Sequence, residues 1–225
     1  MHNAKTHIYF VPGLAASSKI FEFLTFDDNK FSIHHLEWLL PNNPKEPLED
    51  YAYRMSLLVK QQNAVLVGVS FGGILVQEMS KFLNPKKVII ISSVKSYTEL
   101  PNHLKLIKQT NAYKLFPVKA IKNIEEFSKF VFGDFAKKRV ELYKKYLSVR
   151  NETYLKWAIY NVLYWKQFEP RNTIIHIHGE HDAVFPIKNI QNCIEVKQGT
   201  HVMIINKAKT ISKLITDTIN DSSSD

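Results

Sequence analysis

The chain of 225 residues holds one cysteine, Cys193, and seven glycines, and no apolar run approaches the roughly 20 residues that span a bilayer. A lone thiol cannot form an intramolecular disulfide, so nothing calls for an oxidising compartment, and Cys193 is expected as a small buried hydrophobe. The long apolar core of a signal peptide is also missing near the N-terminus. The stretch Ile8-Tyr9-Phe10-Val11 before Pro12-Gly13 reads instead as a strand of the mature fold, so a cytoplasmic protein without a membrane span is expected. With 45% hydrophobic, 12% aromatic and 23% charged residues, the composition excludes general disorder and suits one domain with a sizeable core. Only the Ser/Asp tail at 221–225 is expected to fray.

Negative charge is also in short supply: the formal net charge is +9. Between Lys95 and Pro170 stand 15 Lys/Arg against 7 Asp/Glu, so the middle third carries nearly all of the excess. The plain reading is a solvated basic helical face, and the alternative is attraction of an anionic substrate. No nucleic-acid-binding motif accompanies the charge, so nucleic acid is not an expected partner.

What is present is a regular alternation. Short apolar, β-branched runs recur at 7–11, 32–36, 64–69, 87–92, 173–178 and 194–196, which predicts six strands. Helical spacing lies between them, as in Leu48, Tyr51, Met55 and Leu58, and again in Ile204, Ala208, Ile211 and Ile215. Strands alternating with helices predict an α/β fold, a mostly parallel sheet of about six strands with helices on both faces. Continuously apolar runs such as Val88-Ile89-Ile90-Ile91 suit strands covered on both sides.

The alternation fails once, between Ser93 and Asn172, where Ala136, Val140, Tyr143 and Leu147, then Tyr154, Trp157, Asn161, Trp165 and Phe168, fall at helical spacing. So long a stretch is more than a loop, and an inserted helical cap is predicted. The division expected is a core at 1–93 and 172–220 with a cap at 94–171.

Chemistry enters at Val65-Leu66-Val67-Gly68-Val69-Ser70-Phe71-Gly72-Gly73-Ile74-Leu75, which reads as apolar strand, G-x-S-x-G, apolar helix. That context makes the motif a nucleophile elbow, a turn so tight that the residues two before and two after the serine must be small. Ser70 would project above the sheet at a helix N-terminus, where developing negative charge is favoured. A helix-capping serine is the structural alternative.

On this segment the sequence resembles the α/β-hydrolase superfamily, from His7 to about Ile215 and least in the cap. The resemblance implies an oxyanion-hole turn in Phe10-Val11-Pro12-Gly13-Leu14, with the backbone N–H groups of Leu14 and Phe71 as donors. It implies an acid after the next-to-last strand, matched by Asp182 in Gly179-Glu180-His181-Asp182, with Glu180 as the nearest substitute. It implies a histidine after the last strand, matched by His201 in Gln198-Gly199-Thr200-His201. The chain order Ser, Asp, His is the one this fold uses. Glycine gives an independent check, because Gly13, Gly68, Gly72, Gly73, Gly179 and Gly199 all stand at these strand ends and only Gly133 lies elsewhere.

The implied activity is that of a serine hydrolase working through an acyl-enzyme on a small carboxylic ester or thioester, apolar or anionic, with no metal or organic cofactor. On the same scaffold a carbon–carbon hydrolase, a lyase, an acyltransferase or a weakly catalytic ligand-binding or signalling module stay open, as does the oligomeric state. The run His176-Ile177-His178-Gly179-Glu180-His181 imitates a zinc-hydrolase motif, but a glutamate stands where that motif needs aspartate, and of the further histidine and aspartate ligands it needs only His201 and a few acids remain downstream. In the cap, Phe127, Phe130, Phe132, Trp157 and Trp165 are expected mainly to pack helices; Tyr154, Trp157 and Trp165 are the candidates for pocket lining.

Overall fold

The computed structural model describes residues 4–111, 145–169 and 173–221. Its six strands are β1 (Thr6–Val11), β2 (Phe31–His35), β3 (Val65–Val69), β4 (Lys87–Ile91), β5 (Ile174–Gly179) and β6 (Ile194–Val196). They form one sheet in the order β2-β1-β3-β4-β5-β6, every neighbouring pair parallel. The expected strands are therefore present to within a residue or two. β3 and β4 are buried at every position, as their unbroken apolar sequences demand.

The helices are α1 (Leu48–Ser56), α2 (Phe71–Met79), α3 (Asn102–Gln109), α4 (Glu152–Tyr164), α5 (Met203–Asn206) and α6 (Ala208–Asn220). In α1 the residues Leu48, Tyr51 and Met55 face the core, whereas Leu58 lies past the helix end and is partly exposed. α2 is buried along its whole length, so it lacks the polar face of an ordinary surface helix. The final helical pattern is two helices rather than one, broken at Lys207, with Ile211, Ile215 and Ile219 forming the buried stripe of α6. The C-terminal carbonyls of α6 are capped by the buried Lys87, whose Nζ donates to Thr218 O at 2.9 Å and Asp221 O at 2.7 Å. A cation there complements the helix dipole, so Asp221 is anchored and only 222–225 of the expected tail lie outside the described residues.

The region expected as a cap shows α3 and α4, while Phe127, Phe130, Phe132, Ala136, Val140, Tyr143 and many of its lysines lie outside the described residues. Past α4, Phe168 is largely exposed. Cys193 is half-buried rather than buried. No described helix is long and apolar enough to cross a membrane.

Strand order positions the site. From β1 the chain steps outward to β2, then returns to the other side of β1 as β3 and continues away from it. The connections that follow β1 and β3 thus leave the sheet in opposite senses, the switch point at whose carboxyl ends open α/β sheets place their sites. Gly13 follows β1 there, and Ser70 follows β3.

Candidate active site

Ser70 occupies φ 53°, ψ −119°, a conformation that an L-residue adopts only under constraint. Its N–H donates to Ile91 O at 2.9 Å, and its carbonyl accepts from Gly73 N at 2.9 Å and Ser93 Oγ at 2.7 Å. The flanking glycines allow the turn. A Cβ on Gly68 would stand 2.2 Å from Gly72 O, and one on Gly72 would stand 2.3 Å from Pro12 O. Both collisions are with backbone, which cannot step aside.

Ser70 is the N-cap of α2, where a serine oxygen ordinarily accepts a bond from the helix's first turn. Here it makes no such bond. Its Oγ lies 3.1 Å from His201 Nε2, and His201 Nδ1 lies 2.9 Å from Asp182 Oδ2 and 3.1 Å from Oδ1. The three residues come from loops after β3, β5 and β6, 131 and 19 positions apart along the chain, and their side chains meet in one continuous line.

The Asp182 loop is built to present an oxygen. Asp182 Oδ1 accepts from Val184 N and Phe185 N, each at 2.9 Å, an Asx turn that fixes the carboxylate. The backbones of Gly179 and Gly199 touch; a Cβ on Gly179 would lie 2.6 Å from Gly199 O. His181 N donates to Gly199 O at 2.7 Å, which zips the acid loop to the histidine loop. Burial pushes the Asp182 carboxyl upward, but the charge and hydrogen bond of His201, with His178 and Phe185 N–H, more than offset it and hold the group below the usual aspartate value. With Asp182 ionised and His201 donating Nδ1–H to it, Nε2 faces Ser70 Oγ as a hydrogen-bond acceptor.

Glu180 does not join this line; it accepts from Gln198 N at 2.8 Å at the surface. The histidines of the zinc-like run diverge. His176 and His178 are buried and bonded to each other at 3.0 Å, while His181 is exposed.

Next to Ser70, Gly13 lies so near that a Cβ would contact Ser70 Cβ at 3.4 Å. Ala16 N donates to Gly13 O at 3.0 Å with Ala15 at φ 63°, a tight turn that carries Leu14 at its corner. Phe71 is the first residue of α2, and the first N–H groups of a helix have no partner within it. Among the described residues, neither Leu14 N–H nor Phe71 N–H donates a hydrogen bond.

Three solved structures share the architecture across nearly the whole chain. They are a bromoperoxidase from Bacillus anthracis (17% identity, TM-score 0.70, 98% of this chain and 94% of that one), an enol-lactonase from Burkholderia xenovorans LB400 (14%, 0.66, 98% and 93%) and a lipase-esterase related protein from Clostridium acetobutylicum ATCC 824 (15%, 0.62, 96% and 96%). The chain has the α/β-hydrolase fold. No protein-family model and no curated protein sequence matches it. The α/β-hydrolase sheet thus persists here at sequence identities that establish fold alone.

Among the candidates for pocket lining, Trp157 and Trp165 take the helix-packing role mainly expected of the cap aromatics, and Tyr154 is buried with them. Tyr154 and Trp157 are buried behind the elbow rather than open to a pocket: Trp157 meets Phe71 edge-on at 5.8 Å and Tyr51 at 4.2 Å, and its indole N–H donates to Glu46 O at 2.8 Å. Trp165 is farther off, its N–H bonded to Glu78 in the last turn of α2 at 2.8 Å, and packs that end of the α/β-hydrolase core. Two further residues at the site carry no signature in the sequence. Ser93 holds the Ser70 carbonyl, and Trp38 donates its indole N–H to Gly13 O at 3.1 Å.

Proposed function

We propose that the chain is a serine hydrolase that cleaves a small carboxylic ester or thioester through an acyl-enzyme. The observation that carries this reading is the unbroken line Ser70 Oγ, His201 Nε2, His201 Nδ1, Asp182 on a strained elbow whose serine caps nothing. A serine hydroxyl is a weak nucleophile near neutral pH and needs an adjacent base. His201 takes its proton as Oγ bonds to the carbonyl carbon, and the carbonyl electron pair moves onto oxygen. The resulting oxyanion sits against Leu14 N–H and Phe71 N–H, donors held in place before the reaction starts. His201 then gives the proton to the departing alkoxide or thiolate as the C–O or C–S bond breaks, leaving acyl-Ser70. Water, deprotonated by His201 in turn, releases the acid and restores the hydroxyl. Throughout, Asp182 holds the Nδ1–H tautomer and stabilises the imidazolium.

The experiment is covalent labelling with a fluorophosphonate, read by intact mass and peptide mapping, alongside turnover of p-nitrophenyl esters and acyl-CoA thioesters of graded length. One label on Ser70 that Ser70→Ala abolishes, together with turnover of one of these substrates, supports the reading. Labelling that persists in Ser70→Ala overturns it, and so does a wild-type chain that neither labels nor turns over.

A further inference from the structure

Resting on that hydrolase reading, we propose that Trp38 is a positioning residue for the oxyanion hole, a single side chain that holds both proposed donors in register. The two N–H groups belong to segments 57 positions apart, the turn after β1 and the start of α2. The β1–β3 ladder brings them together as far as Val11 and Gly68, and beyond it the two backbones meet again at Pro12 O and Gly72. Trp38 touches both segments: its Nε1–H donates to Gly13 O at 3.1 Å, the carbonyl of the residue just before Leu14, and its ring lies flat on Phe71 at 5.2 Å and 14°.

Gly13 O also accepts from Ala16 N, so the indole bond fixes the same carbonyl that closes the turn. That peptide group, Gly13 C=O to Leu14 N–H, is planar. Orienting its carbonyl therefore orients the N–H at its other end.

The strut is itself anchored. Leu36 N donates to Phe10 O at 2.9 Å, the Glu37 carboxylate accepts from Ser18 N at 3.0 Å, and Tyr51 OH donates to Leu39 O at 2.8 Å, so the backbone on both sides of Trp38 is tied down. Behind it, Tyr154 meets the indole at 5.3 Å and Trp157 meets Phe71 edge-on. The aromatic cluster from α1 and α4 thus backs the Trp38–Phe71 stack and gives Tyr154 and Trp157 their place in the site.

The test uses two variants of the full chain. Trp38→Phe keeps a ring on Phe71 and removes the N–H; Trp38→Leu removes both contacts. Loss of an oxyanion donor costs about 10²–10³-fold in turnover, and misplacing one costs part of that, so kcat should fall about tenfold in Trp38→Phe and about a hundredfold in Trp38→Leu. KM for a neutral p-nitrophenyl ester should stay within about twofold in both. A trifluoromethyl ketone, which forms a tetrahedral oxyanion on the serine, should lose affinity by the same factor as kcat/KM. A packing role alone would lower the melting temperature or raise KM and leave kcat and ketone affinity unchanged in the folded variants, and that result overturns the proposal. If Trp38→Leu does not fold, Trp38→Phe decides. A wild-type chain without Ser70 labelling or ester turnover would instead overturn the hydrolase reading, and the role of Trp38 with it.

Discussion

His178 donates its Nε2–H to the Phe185 carbonyl at 2.8 Å, and this bond closes the back of the loop that presents Asp182. The same nitrogen stands 3.7 Å from Asp182 Oδ2, and Nδ1 of the ring, 3.0 Å from His176 Nε2, accepts from it when both rings are neutral. Two imidazoles are therefore enclosed directly beneath the proposed active site, and folding has to keep them uncharged.

That requirement makes stability depend on pH. Burial, then the neighbouring His178, pushes the His176 value down from 6.5 to about 2, and burial likewise lowers His178. Below the ordinary histidine value the unfolded chain binds these protons more readily than the folded one, so the stabilisation is complete above about pH 6.5 and is lost as pH falls. Each ring contributes a slope of up to about 1.4 kcal/mol per pH unit. Urea midpoints measured from pH 7.5 down to 5 should fall accordingly, and His176→Gln, which keeps a donor without a titrating ring, should flatten the curve. Equal slopes in the two proteins would count against a neutral His176.

The elbow offers a rescue experiment. A Cβ on Gly73 would lie 2.4 Å from Ser93 Oγ and 2.5 Å from Ser93 Cβ, so Gly73→Ala should cost about 1–3 kcal/mol through overpacking. Because the obstacle is a side chain, Ser93→Gly, which also gives up the 2.7 Å bond to Ser70 O, should cost clearly less in the Gly73→Ala background than in the wild type. Gly68→Ala meets the backbone of Gly72 and Gly73 instead, and no second substitution there should restore the stability lost. Denaturation of the four variants checks both statements.

These contacts also mark what could be read from sequence. β3, α2 and the elbow were legible because strand burial writes an unbroken apolar run and the turn writes two glycines around Ser70. Trp38 and Ser93 carry no such sign. Their work is done on Gly13, Phe71 and Ser70, far along the chain, and a tryptophan after an edge strand looks like any other packing residue. The break at Lys207 was hidden as well, since no glycine or proline marks it. Helical spacing showed that Tyr154, Trp157 and Trp165 sit inward but not which neighbours they meet, and that depends on how α4 lies on α1 and α2.

Roles within the acid loop separate by substitution. Asp182→Asn should leave KM nearly unchanged and lower kcat by up to about 10⁴-fold, because an amide no longer selects the Nδ1–H tautomer of His201. Glu180→Gln removes a half-exposed carboxylate that serves Gln198 N–H and Lys197, and should change kcat by less than about twofold. Steady-state kinetics on one ester decides between them, and a larger loss from Glu180→Gln would move the orienting role to that residue.

Backbone strain at Ser70 gives a prediction about stability without reference to any substrate. Ser70→Ala and Ser70→Gly both delete the hydroxyl and its 3.1 Å contact with His201, so a comparison of the two cancels that loss. What differs is φ 53°, ψ −119°, which alanine must adopt with its Cβ in place and glycine adopts freely. Strain of this kind is worth on the order of 1–3 kcal/mol, and the extra freedom of glycine in the unfolded chain returns about 0.4–1 kcal/mol of it. Ser70→Gly should therefore be the more stable by about 1 kcal/mol, with both variants inactive. At any ordinary helix N-cap the difference between the two residues would come from capping and chain entropy alone. A urea titration in which Ser70→Ala matches or exceeds Ser70→Gly would show that the elbow is relaxed and that Ser93, Ile91 and the helix N–H groups hold no strain in it.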